Sequence, residues 1–181
     1  MVYILLAPGF EEAEALVPAD LMRRAGLDVA LTALEGELVP GGHQITVKAD
    51  CSLDQVDLEC AQAIVLPGGG IGVKNLGEDP RVEALVRQAA ERGIRIAAIC
   101  AAPTLLAQWG LLEGKKALCY PGLEERLTGA VCQTGHWAQD GTILTGKAAG
   151  SAFDFGLKLI EQLCGEEKAE EVQHGIHYDG Q

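Results

Sequence analysis

The chain has 181 residues, 14 of them Lys or Arg and 26 Asp or Glu, for a formal net charge of -12. That length suits one domain over residues 1–181, and with 48% apolar residues it can bury about 70% of its unfolded surface, which excludes disorder for most of the chain. The acidic balance, with no basic cluster longer than Arg23-Arg24 or Lys115-Lys116, argues against nucleic acid and membrane as partners.

The first strand-length apolar run, Val2–Ala7, follows Met1 directly. It is too short for a signal peptide and has no positive leader, and no segment approaches the ~20 apolar residues of a membrane span, so the chain reads as cytoplasmic. Residues 11–25 have a helical pattern: Glu11, Glu12 and Glu14 open it, and Arg23-Arg24 close it before Gly26, each charge favouring the nearby end of the helix dipole. Pro18 is expected to kink or restart this helix. A second run, Val29–Leu34, precedes a segment 35–52 whose Pro40-Gly41-Gly42 reads as a hairpin or irregular excursion.

Further apolar runs lie at 61–66 and 94–100, separated by a helical pattern over Arg81–Arg92 that stops at Gly93. Short runs at 117–119, 130–132 and 142–145 read as strands. A helix over Ser151–Leu163 stops at Gly165, and a short terminal helix follows over Glu166–His174. The longer strand runs are continuously apolar, as expected for strands covered on both faces. Strands alternating with helices predict an α/β fold, a mostly parallel sheet with helices on both sides, and such sheets bind ligands beyond the carboxyl ends of their strands.

Three edge segments therefore carry the search for chemistry. After the third strand, Pro67-Gly68-Gly69-Gly70-Ile71-Gly72 reads as a loop whose glycines free the backbone to aim N–H groups at a reacting oxygen. It lacks the third glycine of a dinucleotide fingerprint and does not lie in the first strand-helix unit. Gly141–Lys147 matches most of a P-loop expression, but Ala148 replaces the metal-binding hydroxyl and the centre is strand-like, so the match is chance.

Ile99-Cys100-Ala101-Ala102-Pro103 is the most informative stretch. A strand ends at Cys100, and a helix is expected to start at Ala101 with Pro103 in its first turn, so the thiol sits on a strand-to-helix elbow. Unpaired helix amides there are expected to lower its pKa; a buried structural cysteine is the other reading of the same residues. The six cysteines, at 51, 60, 100, 119, 132 and 164, include no C-x-x-C pair, which argues against a zinc knuckle and a thioredoxin-type redox pair, and no metal site is expected; the absence of a secretory signal and the adequate core argue against a disulfide framework.

After the first strand, Glu11 and Glu12 are explained as first-turn carboxylates, and Glu14 read from the residues alone is a solvated surface group. Turned inward beside a thiolate, Glu14 would be driven to its protonated form and donate to sulfur. His43, His136, His174 and His177 do not follow a parallel strand and read as exposed polar residues.

Taken together, Ala7–Glu14, Leu66–Gly69 and Ala97–Pro103 closely resemble the DJ-1/ThiJ/PfpI superfamily, and in particular its Parkinsonism-associated, deglycase-like branch. Residues 21–26, 50–53, 143–145 and 151–155 fall in family order, so the resemblance covers about residues 1–165. It implies a flavodoxin-like three-layer sandwich and a homodimer. It also implies a nucleophile-elbow cysteine at Cys100, a glutamate partner at Glu14, and oxyanion-type backbone donors at Gly69 and Ala101. Tyr120, Gly68 and Gly70 are the further pocket candidates.

The activities that the resemblance implies need no cofactor. They include conversion of methylglyoxal to lactate, which is a glyoxalase III-like lyase reaction, and deglycase-type hydrolysis of glyoxal adducts. A stress-protective enzyme acting on a small aldehyde or adduct is the leading expectation. A non-enzymatic oxidative-stress sensor or chaperone that uses Cys100 oxidation is the alternative, followed by a thiamine-precursor enzyme or a peptidase. The chain departs from several active relatives where Tyr120 precedes Pro121 in place of histidine, and Lys147 stands where arginine is usual.

Overall fold

A computed structural model describes residues 1–180. The elements in chain order are β1 (Val2–Leu6), α1 (Glu12–Arg24), β2 (Val29–Ala33), β3 (Leu38–Pro40), β4 (Thr46–Lys48), β5 (Cys51–Ser52), β6 (Ala63–Leu66), α2 (Gly70–Glu78), α3 (Pro80–Glu91), β7 (Arg95–Ile99), α4 (Pro103–Gln108), β8 (Lys116–Ala117), β9 (Val131–Cys132), β10 (Trp137–Asp140), β11 (Ile143–Gly146), α5 (Ala152–Cys164) and α6 (Glu166–Gly175). Seven strands form the central sheet in the order β10-β11-β7-β6-β1-β2-β5, parallel throughout except where β10 pairs antiparallel with β11.

The continuous apolar runs are explained by burial on both faces. In β1, Tyr3 and Leu5 face a core completed by Val73 and Leu76 of α2, Val82 and Val86 of α3, and Leu105 and Leu106 of α4. Val2, Ile4 and Leu6 face the opposite core, filled by Leu21 and Met22 of α1 and by Phe155 and Ile160 of α5. This gives the parallel sheet with helices on both sides that the strand-helix alternation predicts, in the three-layer, flavodoxin-like form that the family resemblance implies. Pro18 lies inside an α1 assigned as one helix, close against Gly156 of α5, where an added Cβ would come within 3.2 Å of the proline Cα.

The chain departs from the expected elements in four places. Residues 70–78 form α2 although Gly70, Gly72 and Gly77 depress helix propensity; burial of Val73 and Leu76 outweighs it. The segment 117–119 yields only Lys116–Ala117 as strand, paired with β9 in a separate two-stranded sheet. β10 was not expected from its polar sequence; the two-residue Gly141-Thr142 loop, with Gly141 at a φ of 59°, turns it into β11. The elbow helix starts at Pro103 rather than Ala101 and is only six residues long. As expected, β3 and β4 form an antiparallel hairpin, and Gly141–Lys147 contains a strand rather than a phosphate loop.

Strand order reverses around β1: the chain proceeds to β2 and β5 on one side, then returns to β6, β7 and β11 on the other. A crevice opens at such a switch point because the loops after the two strands diverge to opposite faces. The carboxyl ends of β1 and β6 flank this switch, and β7 lies next to β6. Residues 8–14, 67–72 and 100–103 consequently converge.

Candidate active site

Cys100 follows β7 with a φ of 66°, in the left-handed region that side chains with a Cβ rarely adopt. Such a residue costs about 1–3 kcal/mol and persists only where its surroundings hold it. The Cys100 amide donates to the Gly146 carbonyl at 2.9 Å, and its carbonyl accepts the Tyr120 amide at 2.8 Å. The strained turn is thereby pinned on both sides, and the thiol is left half-buried.

Glu14 lies in the first turn of α1, and contrary to the residue-only reading it is buried, with 1% of its surface exposed. Its Oε2 accepts the Gly68 amide at 2.8 Å, while the Glu11 amide donates to the Gly68 carbonyl at 3.0 Å, so one residue of the β6 loop clamps the start of α1. The Glu14 carboxyl lies against the Cys100 thiol. Its Oε1 is buried without a hydrogen-bond partner among the described residues, which suits a protonated carboxyl better than a carboxylate.

The amides of Gly69 and Ala101 lie beside the Cys100 sulfur, near enough to pull its pKa down. Gly69 takes a φ of 90°, and a Cβ there would lie 2.4 Å from the Gly9 carbonyl oxygen, so only glycine lets this loop present its N–H. Gly68 is buried between Glu14 and Cys100, whereas Gly70 begins α2 and is exposed. Tyr120 is 48% exposed; its loop is tied down by the hydrogen bond to Cys100 and by the Leu118 amide, which donates to Thr145 Oγ1 at 3.0 Å.

The electrostatics correct one expectation. Burial and the adjoining Glu14 carboxylate push the Cys100 thiol up to about 12, against the downward pull of the Gly69 and Ala101 amides. The six-residue α4 does not reverse this. Burial also pushes Glu14 up to about 7, opposed by the neighbouring Cys100 thiol and by the bond from the Gly68 amide. Thiol and carboxyl act as a pair: both are protonated below about 7, one proton is left between them above it, and transfer of that proton from sulfur to oxygen removes the repulsion and exposes a thiolate.

The first-turn carboxylates divide in a way the sequence did not signal. Glu12 is buried, and its Oε1 accepts the His43 and Ile45 amides at 2.7 and 3.3 Å while Oε2 meets His43 Nδ1 at 3.0 Å. Burial raises the Glu12 carboxyl, but these bonds outweigh it and hold the group below its usual range. Glu12 thus clasps the β3–β4 hairpin to α1. Glu11, Glu12 and His43 are close enough to share a cation, but the hairpin already uses the Glu12 oxygens. His136 is likewise engaged elsewhere, with Asp154 Oδ2 at 3.3 Å and Ser151 Oγ at 3.2 Å.

The family model described as the DJ-1/PfpI family matches residues 1–162. The chain belongs to the DJ-1/PfpI family. It is 39% identical to Protein dj-1beta of Drosophila melanogaster over 176 residues, covering 96% of this chain and 94% of that protein. It is 32% identical over 168 residues to the glutathione-independent glyoxalase DJR-1.2 of Caenorhabditis elegans, covering 91% and 89% of the two chains. Among solved structures, the DJ-1 superfamily protein STM1931 of Salmonella typhimurium superposes with a TM-score of 0.94 at 36% identity, over 99% of this chain and 98% of that one. The DJ-1/PfpI fold thus accounts for the sandwich and for the elbow that carries Cys100. No helix among the described residues is long and apolar enough to cross a membrane.

Proposed function

We propose that the protein is a cofactor-independent, cysteine-dependent enzyme that acts on reactive α-oxoaldehydes or their adducts, in the manner of a glyoxalase or deglycase. The observation that carries this reading is the buried Glu14 carboxyl against the Cys100 thiol, with the Gly69 and Ala101 amides beside the sulfur. The naming of a C. elegans relative as a glutathione-independent glyoxalase supports it.

In this chemistry the Cys100 thiol proton passes to Glu14, and the thiolate adds to the aldehyde carbon of methylglyoxal. The carbonyl oxygen becomes an oxyanion within reach of the Gly69 and Ala101 amides, then takes the proton from Glu14. The freed carboxylate removes the hydrogen on the attacked carbon and returns a proton to the neighbouring carbon, while the hydroxyl proton on the first oxygen passes to the former ketone oxygen, so that the ketone becomes an alcohol and the attacked carbon a thioester carbonyl. The resulting thioester of lactate is hydrolysed by water, which restores the thiol. Methylglyoxal and one water thereby become lactate, with no net oxidation and no second cofactor.

A peptidase needs an imidazole at the nucleophile, and the histidines whose contacts are described, His43 and His136, are held by carboxylates elsewhere. Lactate production from methylglyoxal by wild type, Cys100→Ser and Glu14→Gln tests the proposal. Turnover should vanish in Cys100→Ser and fall severely in Glu14→Gln. Activity that survives Cys100→Ser overturns it. Absence of lactate in wild type, together with peroxide-dependent Cys100 sulfinate that Glu14→Gln makes less persistent, selects the oxidative-stress sensor instead. The protein is further proposed to act as a homodimer, in keeping with the common preference for two-fold assembly.

A further inference from the structure

A cleft of about 510 Å³ opens beside the elbow, where α2 and α4 face the turn at 124–126. Gly70 and Ala101 line it, and these residues directly follow Gly69 and Cys100, whose amide and thiol belong to the proposed reacting centre. A substrate carbonyl held at Cys100 therefore has room to place the rest of its molecule in this cleft. The volume falls within the roughly 300–1,000 Å³ of small-molecule sites, and methylglyoxal would leave most of it unused.

The lining combines two chemistries. Val73 and Leu105, both buried, and half-buried Leu123 give an apolar wall. Lys74, Arg126 and Glu78 bring charge, two cations against one carboxylate. Lys74 is turned to Glu78 at 3.7 Å, whereas Arg126 makes no ion pair among the described residues. Glu124 beside it instead accepts the Gly122 amide at 2.8 Å. In a chain of net charge -12, an unpaired arginine at the mouth of an apolar cleft favours a ligand with an anionic end.

We infer that this cleft is the specificity site for the non-reacting part of the substrate, and that it selects α-oxoaldehydes or adducts with an apolar body ending in an anion, which Arg126 pairs. The inference rests on the aldehyde chemistry proposed for Cys100. It assigns Arg126 a positioning role, away from the reacting atoms.

Initial rates with phenylglyoxal and para-carboxyphenylglyoxal, which differ only in the carboxylate opposite the dicarbonyl, test it. Wild type should favour the carboxylated compound about fivefold in kcat/KM, chiefly through KM. Arg126→Glu should abolish or invert that preference, and Arg126→Lys should keep part of it. Because the readout is a ratio within one preparation, any unfolded fraction cancels. A wild-type ratio of one or less overturns the inference, as does a ratio that Arg126→Glu leaves intact. If no glyoxal turns over at all, the aldehyde reading fails, and calorimetry with the unreactive hydroxy acids mandelate and para-carboxymandelate decides the cleft alone. Tighter binding of para-carboxymandelate that is lost in Arg126→Glu then upholds the anion site, and equal binding of the two acids overturns it.

Discussion

Gly68 and Glu14 are joined so closely that neither can be replaced freely: the Gly68 amide donates to Glu14 Oε2 at 2.8 Å, and a Cβ on residue 68 would lie 2.4 Å from that same oxygen and 2.5 Å from the Cys100 Cβ. The carboxyl reaches the thiol only because the loop after β6 has no side chain at this point.

Gly68→Ala should therefore displace the Glu14–Cys100 pair. We expect destabilisation of about 1–3 kcal/mol, the usual cost of overpacking, and loss of most aldehyde turnover. Denaturant unfolding alongside lactate formation checks both. An active and equally stable Gly68→Ala protein would show that the loop can yield.

The pair also sets a pH dependence of rate. With Glu14 pushed up to about 7, both groups are protonated in acid, and the singly protonated pair that can expose a thiolate accumulates as pH rises through that value. Turnover per folded enzyme should rise with pH through about 7 and then level off, since the second proton leaves only near about 12. Glu14→Gln should lose this ascending limb. A limb retained in that variant would assign it to another group.

Stability should change in the opposite direction. A carboxyl at 4.5 in the unfolded chain and about 7 in the fold binds more protons when folded, so its contribution is fullest below 4.5 and is lost as pH rises through about 7. The two values imply up to about 3 kcal/mol lost by pH 8. Glu14→Gln carries no such penalty and should gain on wild type by up to that amount between pH 4 and pH 8, measured by urea unfolding at both. A constant difference across the two pH values would contradict the raised carboxyl.

Tyr120 offers a gain-of-function test. Its amide is 2.8 Å from the Cys100 carbonyl, and a phenol is a poor base near neutrality. If an imidazole at this position reaches the thiol, Tyr120→His should raise methylglyoxal turnover at pH 7 measurably, by up to the roughly 10²–10⁴-fold of one general base. An unchanged rate in the folded variant would place the proton path elsewhere, with Glu14 alone.

The proposed homodimer should give a light-scattering mass near twice the 19.1 kDa of one chain at micromolar concentration. A mass of one chain would refute it.

Much of this protein is written locally. Strands such as Val2–Leu6 are readable because burial on both faces demands uninterrupted apolar residues, and α1 and α3 end at Gly26 and Gly93 because a positive φ closes each helix. The elbow at Cys100 is readable as well, from a small-residue strand followed by Pro103. Tertiary structure decided what depends on distant partners. α2 forms against its glycines because the core buries Val73 and Leu76. Glu12 and Glu14, indistinguishable as first-turn carboxylates, separate only when the hairpin at 38–48 covers one and the loop at Gly68 captures the other. The thiol pKa went the opposite way to the expectation for the same reason: a local reading sees helix amides that lower it, whereas the fold adds burial and a carboxyl from 86 positions earlier in the chain, and together these outweigh them.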